Sequence, residues 1–382
     1  MAVVFGAGGD AVRLIYYENQ LKIEFFIDND PEKTGGQFYG FDVVKPEAIV
    51  GMELDAVLLS SRRYASEMKE QLIRLGIDES RIVSAWELEL FGEEADVTEP
   101  DSACFLDSQI RTKEEYDQFR GNSAWSQIET VLEEMVVQSP RKRISYPGRC
   151  QVCRKRVNLL IDNQYSESPR KVNFRERMVC PFCGLNNRQR EIARLVTDRV
   201  PGDARVYITE QVTPMYQYLS RQFVHLTGSE YMGPDIPGGK ICEGGVIHED
   251  LTALSFADET IDCVISNDVF EHVSDIDRAL EEIYRVLKAS GMLYATFPMN
   301  FHQEQTVKRA EMVDGTILHR QEPVYHGNPV SEEGSLVFYD YGMDFFSRIR
   351  KAGFSDGYFV PFYSIPYGNI GNRSLFIFIA TK

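Results

Sequence analysis

Four cysteines and a series of carboxylates stand at spacings that could do chemistry. Cys150-x-x-Cys153 is followed after 26 residues by Cys180-x-x-Cys183. Each pair can set two thiolates on one turn, and two such knuckles complete a tetrahedral Zn²⁺ shell in a segment too short to hold itself by burial. Four sulfur ligands leave no open coordination position, so a zinc ion here is structural. Two local disulfides or free thiols are the competing readings, and Cys104, Cys242 and Cys263 read as unpaired thiols. The carboxylates stand at the ends of apolar runs. Asp250 closes one short run, Ile261–Ser266 follows at once, then a helical stretch, then Met292–Phe297. That order is βαβ. Ligands of parallel sheets lie beyond the carboxyl ends of the strands, so Asp250, Leu251 and the turn from Ser266 and Asn267 to His272 are placed to meet a small molecule. The blander reading of a lone acid such as Asp250 or Glu230 is a helix cap or an exposed strand end.

A second site candidate lies at the amino end. In VVFGAGGDAVRLIYYENQLKIEFFIDNDP, Gly6, Gly8 and Ala11 have the spacing of a dinucleotide-binding turn, and Asp28 ends the next strand 20 residues beyond Gly8. Such glycines allow a tight turn and close approach to a phosphate, while the acid can hold a ribose. The runs DAVLLSS and RIVSAWEL continue the alternation of strands and helices. This half resembles the small Rossmann domains that precede acyltransferase modules of sugar modification, and the cofactor domains of dehydrogenases. The resemblance implies a bound nucleotide or nucleotide-sugar; a scaffold that merely keeps the turn is the alternative. No Tyr-x-x-x-Lys pair for hydride transfer is evident, so a nicotinamide-dependent oxidoreductase is disfavoured.

From about Ala204 to Lys382 the chain resembles class I S-adenosylmethionine-dependent methyltransferases. The matching pieces are LSF, IDCVIS, EHV and RVLKASG. The resemblance makes RVYITE the first strand, with Glu210 at the acid of the glycine-rich motif, and FVHLTGSE the second, with Glu230 as the acid that holds the ribose hydroxyls. It makes Asp250 the acid that meets the adenine amino group, and DFFSRIRKAGF with SLFIFIATK the last helix and closing strand. One departure stands out: the first loop, TEQVTPMYQYL, contains no glycine, so cofactor binding is either reshaped or lost.

Methyl transfer from a sulfonium needs chiefly in-line placement, with a base when the acceptor is a hydroxyl or a protonated amine. His272 in SNDVFEHV is the base candidate, against a role as helix cap or cofactor packing. His326 and His302 are further candidates within an insertion, about Met299 to Tyr341, expected to form an acceptor lid. Its aromatics Tyr325, Phe338, Tyr339 and Tyr341 either line a pocket or cover the sheet.

The elements that must position these residues exceed one core. The chain has 382 residues, 43% of them hydrophobic, and should split into two or three units. The expected fold class is α/β: two Rossmann-like doubly wound sheets joined by a helical linker and a small zinc-binding segment. The expected division is a nucleotide-binding domain over 1–92, a linker with helix over 93–148, a four-cysteine zinc knuckle over 149–188, and a methyltransferase domain over 189–382. Gly92–Ser102 is polar and acidic, as a linker is. The helix over Lys113–Val137 should pack through Tyr116, Phe119, Ile128, Leu132 and Met135. With 58 acidic against 41 basic residues the formal charge is -17, which argues against nucleic-acid binding. The basic run RKRISYPGR at Arg141–Arg149 reads as a solvated linker. No membrane span and no secretory leader are expected, placing the protein in the cytoplasm. The function expected is methyl transfer from S-adenosylmethionine to oxygen or nitrogen of a small molecule or a glycan precursor in sugar modification. The alternative is a non-catalytic, methyltransferase-like binding module. The acceptor atom and the oligomeric state are not readable from sequence.

Overall fold

The computed structural model describes residues 2–8, 11–15, 21–61, 64–85, 108–121, 126–328, 330–371 and 375–382. The expected linker Gly92–Ser102, the end of RIVSAWEL and Cys104 lie outside them. The chain forms two compact units: Met1–Thr98, Ile128–Asn186 and Pro366–Gly368 in one, and Glu99–Gln127, Asn187–Ile365 and Asn369–Lys382 in the other.

In the first unit, β1 (Ala2–Phe5), α1 (Val12–Ile15), β2 (Ile23–Ile27), β3 (Gln37–Phe38), β4 (Phe41–Val44), β5 (Ala56–Leu59), α2 (Ala65–Arg74) and β6 (Ile82–Ser84) follow one another. The sheet order is β3-β4-β2-β1-β5-β6, parallel except for the β3–β4 pair. β1 is central and apolar throughout. Its Val4 joins Phe26 and Leu58 on one face, and Val3 and Phe5 join Ile27 and Leu59 on the other. Burial on both faces is what a central parallel strand requires.

Two sequence expectations for the middle of the chain need correction. The single helix expected over Lys113–Val137 is two, α3 (Lys113–Gly121) and α4 (Ser126–Gln138). Tyr116 and Phe119 pack into the core of the second unit, as expected. In α4, however, Leu132 and Val136 are buried while Met135 is 49% exposed, because the i, i+4 stripe runs one residue beyond the predicted one. The basic run is not a solvated linker. It forms β7 (Arg143–Cys150), paired antiparallel with β8 (Lys155–Asp162). The guanidinium carbons of Arg141 and Arg143 lie 3.9 Å and 4.9 Å from the centre of the Phe41 ring, so positive charge is used in cation–π packing.

The second unit contains α5 (Asn187–Arg199), β9 (Arg205–Ile208), α6 (Pro214–Leu219), β10 (His225–Gly228), β11 (Ile261–Asn267), α7 (Ile276–Val286) and β12 (Leu287–Thr296). An insertion of short strands follows: β13 (Val307–Lys308), β14 (Ala310–Val313), β15 (Thr316–His319), β16 (Tyr325–Asn328), β17 (Ser331–Leu336) and β18 (Tyr339–Asp340). α8 (Phe345–Lys351), β19 (Asp356–Pro361) and β20 (Phe376–Thr381) complete the unit. The sheet order is β10-β9-β11-β12-β20-β19, and only β20 runs antiparallel to its neighbours. The apolar run that ends at Asp250 is not a full strand: it meets the sheet edge through one parallel bridge, Glu230 to His248.

α7 shows how the site is braced. Asp275 caps it by accepting from Arg278 N–H, and Ile276, Ala279, Leu280, Ile283 and Val286 form its buried stripe. On its other flank, Glu282 accepts from Leu254 N–H at 3.0 Å, and Arg285 donates to the carbonyls of Leu254 and Phe256 at 2.9 and 2.8 Å. The LSF segment is thereby clasped to the helix of RVLK. Lys288 reaches Asp262 of the IDC strand at 2.7 Å. Among the described residues, no helix is long and apolar enough to cross a membrane.

Candidate functional site

At the carboxyl ends of β9, β11 and β12 a polar network replaces the apolar core. Thr209 donates to Ser266 Oγ at 3.2 Å, Asn267 Nδ2 donates to Glu210 Oε1 at 2.7 Å, and Thr296 Oγ1 donates to Asn267 Oδ1 at 3.3 Å. Arg188 on α5 enters from below: its guanidinium lies 2.7 Å from Asp268 Oδ2 and donates to Thr296 Oγ1 at 3.1 Å. Burial pushes the Glu210 carboxyl up from its usual range, against the hydrogen bonds of Asn267 and Thr213 and the charge of Arg188. Asp268 holds a left-handed backbone at φ 52° directly after β11, which turns the chain sharply toward Phe270–His272.

The two cofactor acids are differently engaged. Glu230 is buried, and its Oε1 accepts from the N–H groups of Gln211 and Val212 at 2.7 and 3.0 Å, while Oε2 carries no hydrogen bond among the described residues. Asp250 is half-buried. Its Oδ1 accepts from Thr252 N–H and Oγ1 at 2.8 and 2.7 Å, and Oδ2 carries none among the described residues. The side chain of Gln211 joins the first loop to the edge segment before Asp250, donating to Gly245 O at 3.0 Å and accepting from Ile247 N–H at 2.7 Å. Leu251 does not face a ligand space: it is buried in the main core cluster.

The glycine-free loop finds its close approach elsewhere. A Cβ on Gly228 would lie 2.5 Å from the Tyr216 ring and 2.7 Å from Glu210 O, so the space is opened by the glycine of the second strand. Met215 is buried in α6 and Tyr216 is half-buried.

The insertion brings His326 to His272: Nδ1 of His326 and Nε2 of His272 are 3.2 Å apart. Nδ1 of His272 lies 2.8 Å from Leu336 O, and burial pulls its pKa down, favouring the neutral ring. His302 is elsewhere, edge-on to Tyr116 at 5.3 Å. Phe338, Tyr339 and Tyr341 cover the sheet as part of the core, whereas Tyr325 is exposed.

In the first unit, Gly6 (φ 97°), Gly8 and Asp28 line one cavity of about 720 Å³ together with Lys33 and Ser60. Ser60 Oγ presses where a Cβ of Gly6 would be. Asp28 Oδ2 accepts from Ala7 N–H at 2.7 Å and Oδ1 from Asp30 N–H at 2.9 Å. The four cysteines Cys150, Cys153, Cys180 and Cys183 also converge within this unit. The Cys150–Cys183 and Cys153–Cys180 sulfurs are each 3.8 Å apart. Tetrahedral zinc with Zn–S bonds of about 2.3 Å sets its sulfurs roughly 3.8 Å apart, so the donor set fits that ion. Hydrogen bonding to Cys150 and Cys180 holds the Cys153 thiol up and burial does the same for Cys183; a divalent cation at the centre reverses that preference. Cys242 and Cys263 are free thiols.

Sequence reasoning missed Arg188, Gln211 and Glu271. Arg188 and Gln211 belong to polar runs, NNRQRE and TEQVT, whose density was the available signal. Glu271 belongs to the EHV motif, next to the base candidate His272.

Residues 211–295 match the family described as methyltransferase domain, and residues 1–83 match one described as C2185-like, N-terminal. The first match begins just past Glu210, leaving the unusual opening strand outside it. Malonyl-(acyl-carrier protein) O-methyltransferase 1 from Coxiella burnetii is 46% identical over 44 residues, which are 12% of this chain and 16% of that protein. The matched stretch thus spans about one sixth of the curated relative's length. A methyltransferase structure from Mesorhizobium loti aligns at 13% identity over 51% of this chain and 98% of its own, with a TM-score of 0.33. A Burkholderia thailandensis 1,6-didemethyltoxoflavin-N1-methyltransferase holding S-adenosylhomocysteine aligns at 15% identity over 51% and 78%, with a TM-score of 0.31. Residues 211–295, which run from the first loop of the second unit's sheet to the end of its β12, are thus similar to a methyltransferase domain.

Proposed function

We propose that the second unit transfers a methyl group from S-adenosylmethionine to oxygen or nitrogen of a small molecule or glycan precursor. The observation that carries this reading is the pair Glu230 and Asp250 at the carboxyl edge of the sheet, each keeping one carboxylate oxygen without a hydrogen bond among the described residues. A carboxylate accepts two bonds from a vicinal diol, so Glu230 Oε2 suits the ribose and Asp250 Oδ2 the adenine amino group. Glu210, Ser266 and Asn267 fix the floor on which the nucleoside lies. When bound, the cofactor supplies an activated methyl group on a sulfonium. The chain's own contribution is alignment and proton handling. With Nδ1 turned to the Leu336 carbonyl, which can only accept, His272 carries its lone pair on Nε2, where His326 Nδ1 lies at hydrogen-bonding distance, 3.2 Å; as a base it accepts an acceptor O–H or N–H in that partner's place.

Titration of the full-length protein with S-adenosylhomocysteine in a calorimeter tests this. Saturable heat is expected; a flat trace makes the domain a methyltransferase-like binding module without its cofactor. In the first unit, the cavity at Gly6, Gly8 and Asp28 supports a nucleotide or nucleotide-sugar, and the four cysteines a structural zinc ion. Four clustered thiols also fit a reducing compartment such as the cytoplasm. The glycan preference rests on the amino half and falls if nucleotide-sugars do not bind there.

A further inference from the structure

We propose that Glu271, His272 and His326 bind a divalent metal ion of the zinc class, with a coordination position left for an acceptor hydroxyl. Oε1 of Glu271 lies 3.9 Å from His272 Nε2 and 3.8 Å from His326 Nδ1, and the two nitrogens are 3.2 Å apart. The circle through three such points has a radius of about 2.1 Å, within the roughly 2.0–2.2 Å of zinc bonds to imidazole and carboxylate. One point therefore sits at bonding distance from all three donors with no side chain moved.

The surroundings hold those donors in place. His272 Nδ1 meets Leu336 O at 2.8 Å, which fixes the proton on Nδ1 and turns the Nε2 lone pair toward the other two groups. The backbone carbonyl of Glu271 accepts from Phe338 N–H at 2.7 Å, and Tyr341 donates to Phe270 O at 2.7 Å, tying the Phe270–His272 turn to the insertion. The Glu271 carboxylate is only 1% exposed, and a buried anion is stabilised by a cation at bonding distance. His326 lies on the exposed side and gives an ion its entry. Two imidazoles and a carboxylate suit zinc, cobalt or iron better than magnesium.

Three protein ligands distinguish this cluster from the four cysteines, whose shell is closed. The inference deepens, and for its chemistry rests on, the acceptor site assigned above. An alcohol oxygen on the ion loses its proton to water more readily and attacks the methyl carbon as the carbon–sulfur bond breaks. The His272 lone pair is then committed to the ion and takes no proton, so the favoured acceptor is a hydroxyl.

Cobalt(II) chloride titrated into the full-length protein whose four-cysteine site has first been filled with one equivalent of zinc, followed by visible d–d absorption, tests the site without any methyl donor. Saturable absorption lacking thiolate charge transfer is expected. His326→Ala, on an exposed hairpin, and Glu271→Gln should each weaken cobalt binding by about tenfold or more, with the melting temperature of His326→Ala unchanged. No such absorption in the wild type, or equal affinity in the wild type and His326→Ala, overturns the proposal and leaves His272 as a base. Cobalt bound with no heat from S-adenosylhomocysteine would instead sink the methyl-transfer reading while this site stands.

Discussion

Each of the two sheets follows its second strand with an acid, and each turns that acid back onto the first loop. In the first unit Ala7 N–H donates to Asp28; in the second, Gln211 and Val212 N–H donate to Glu230. The loops that supply these donors differ. One contains Gly6 at φ 97°, the other has no glycine and relies on Gly228 of the neighbouring strand to admit Tyr216 and the Glu210 carbonyl. What the architecture requires is close approach between loop and strand end, and either side of the contact can give up its Cβ. The acids differ in what remains. Both oxygens of Asp28 accept backbone N–H groups, whereas Glu230 gathers both of its donors on one oxygen and keeps the other.

That contrast predicts unequal effects of removing each acid. Glu230→Ala leaves two N–H groups of the first loop without their acceptor, and at about 1–3 kcal/mol each the second unit should lose roughly 2–6 kcal/mol of stability. It should also abolish the heat of S-adenosylhomocysteine binding. Retained heat in a folded Glu230→Ala protein would remove Glu230 from the pocket. Asp28→Ala likewise strands two N–H groups, those of Ala7 and Asp30, and should destabilise the first unit by roughly 2–6 kcal/mol, yet leave adenosylhomocysteine affinity unchanged. A shift in that affinity would mean the two acids are not independent.

Much of this was legible in the sequence, and the exceptions have a common cause. The apolar runs AVVF, IDCVIS and FIFIAT became central strands because hydrophobicity and short length are local signals. The cysteine spacing foretold a converging set because two knuckles carry their own geometry. Contacts made by polar side chains across long separations were not legible. Arg141 stacking on Phe41, Arg188 reaching Thr296 and His326 meeting His272 each depend on where a remote segment lands. The helix stripe in α4 was misplaced by one residue for a related reason: Met135 and Val136 are equally apolar, and only packing decides which turns inward.

Asp250 offers a narrower test of the contrast. Its Oδ1 is held by Thr252 within the same turn, so no distant loop depends on it. Asp250→Ala should therefore weaken S-adenosylhomocysteine by about 1–3 kcal/mol while changing stability far less than Glu230→Ala does. An unchanged dissociation constant would return Asp250 to the role of a turn-former.

The smallest effect expected lies at Glu210, the acid of the glycine-free loop itself. Burial raises its pKa in the folded state above the roughly 4.3 of an unfolded chain. Between the two values the folded protein binds more protons than the unfolded one, so this group's contribution to stability is full below the unfolded pKa and is lost as pH rises through the folded one. Glu210→Gln keeps an oxygen for Asn267 Nδ2 but carries no charge, and should remove that fall. Urea midpoints followed as the pH rises from about 4 should decline less in the variant than in the wild type. Identical slopes would mean that the network of Asn267, Thr213 and Arg188 already offsets burial, and that the loop tolerates its charge without a glycine-lined cradle.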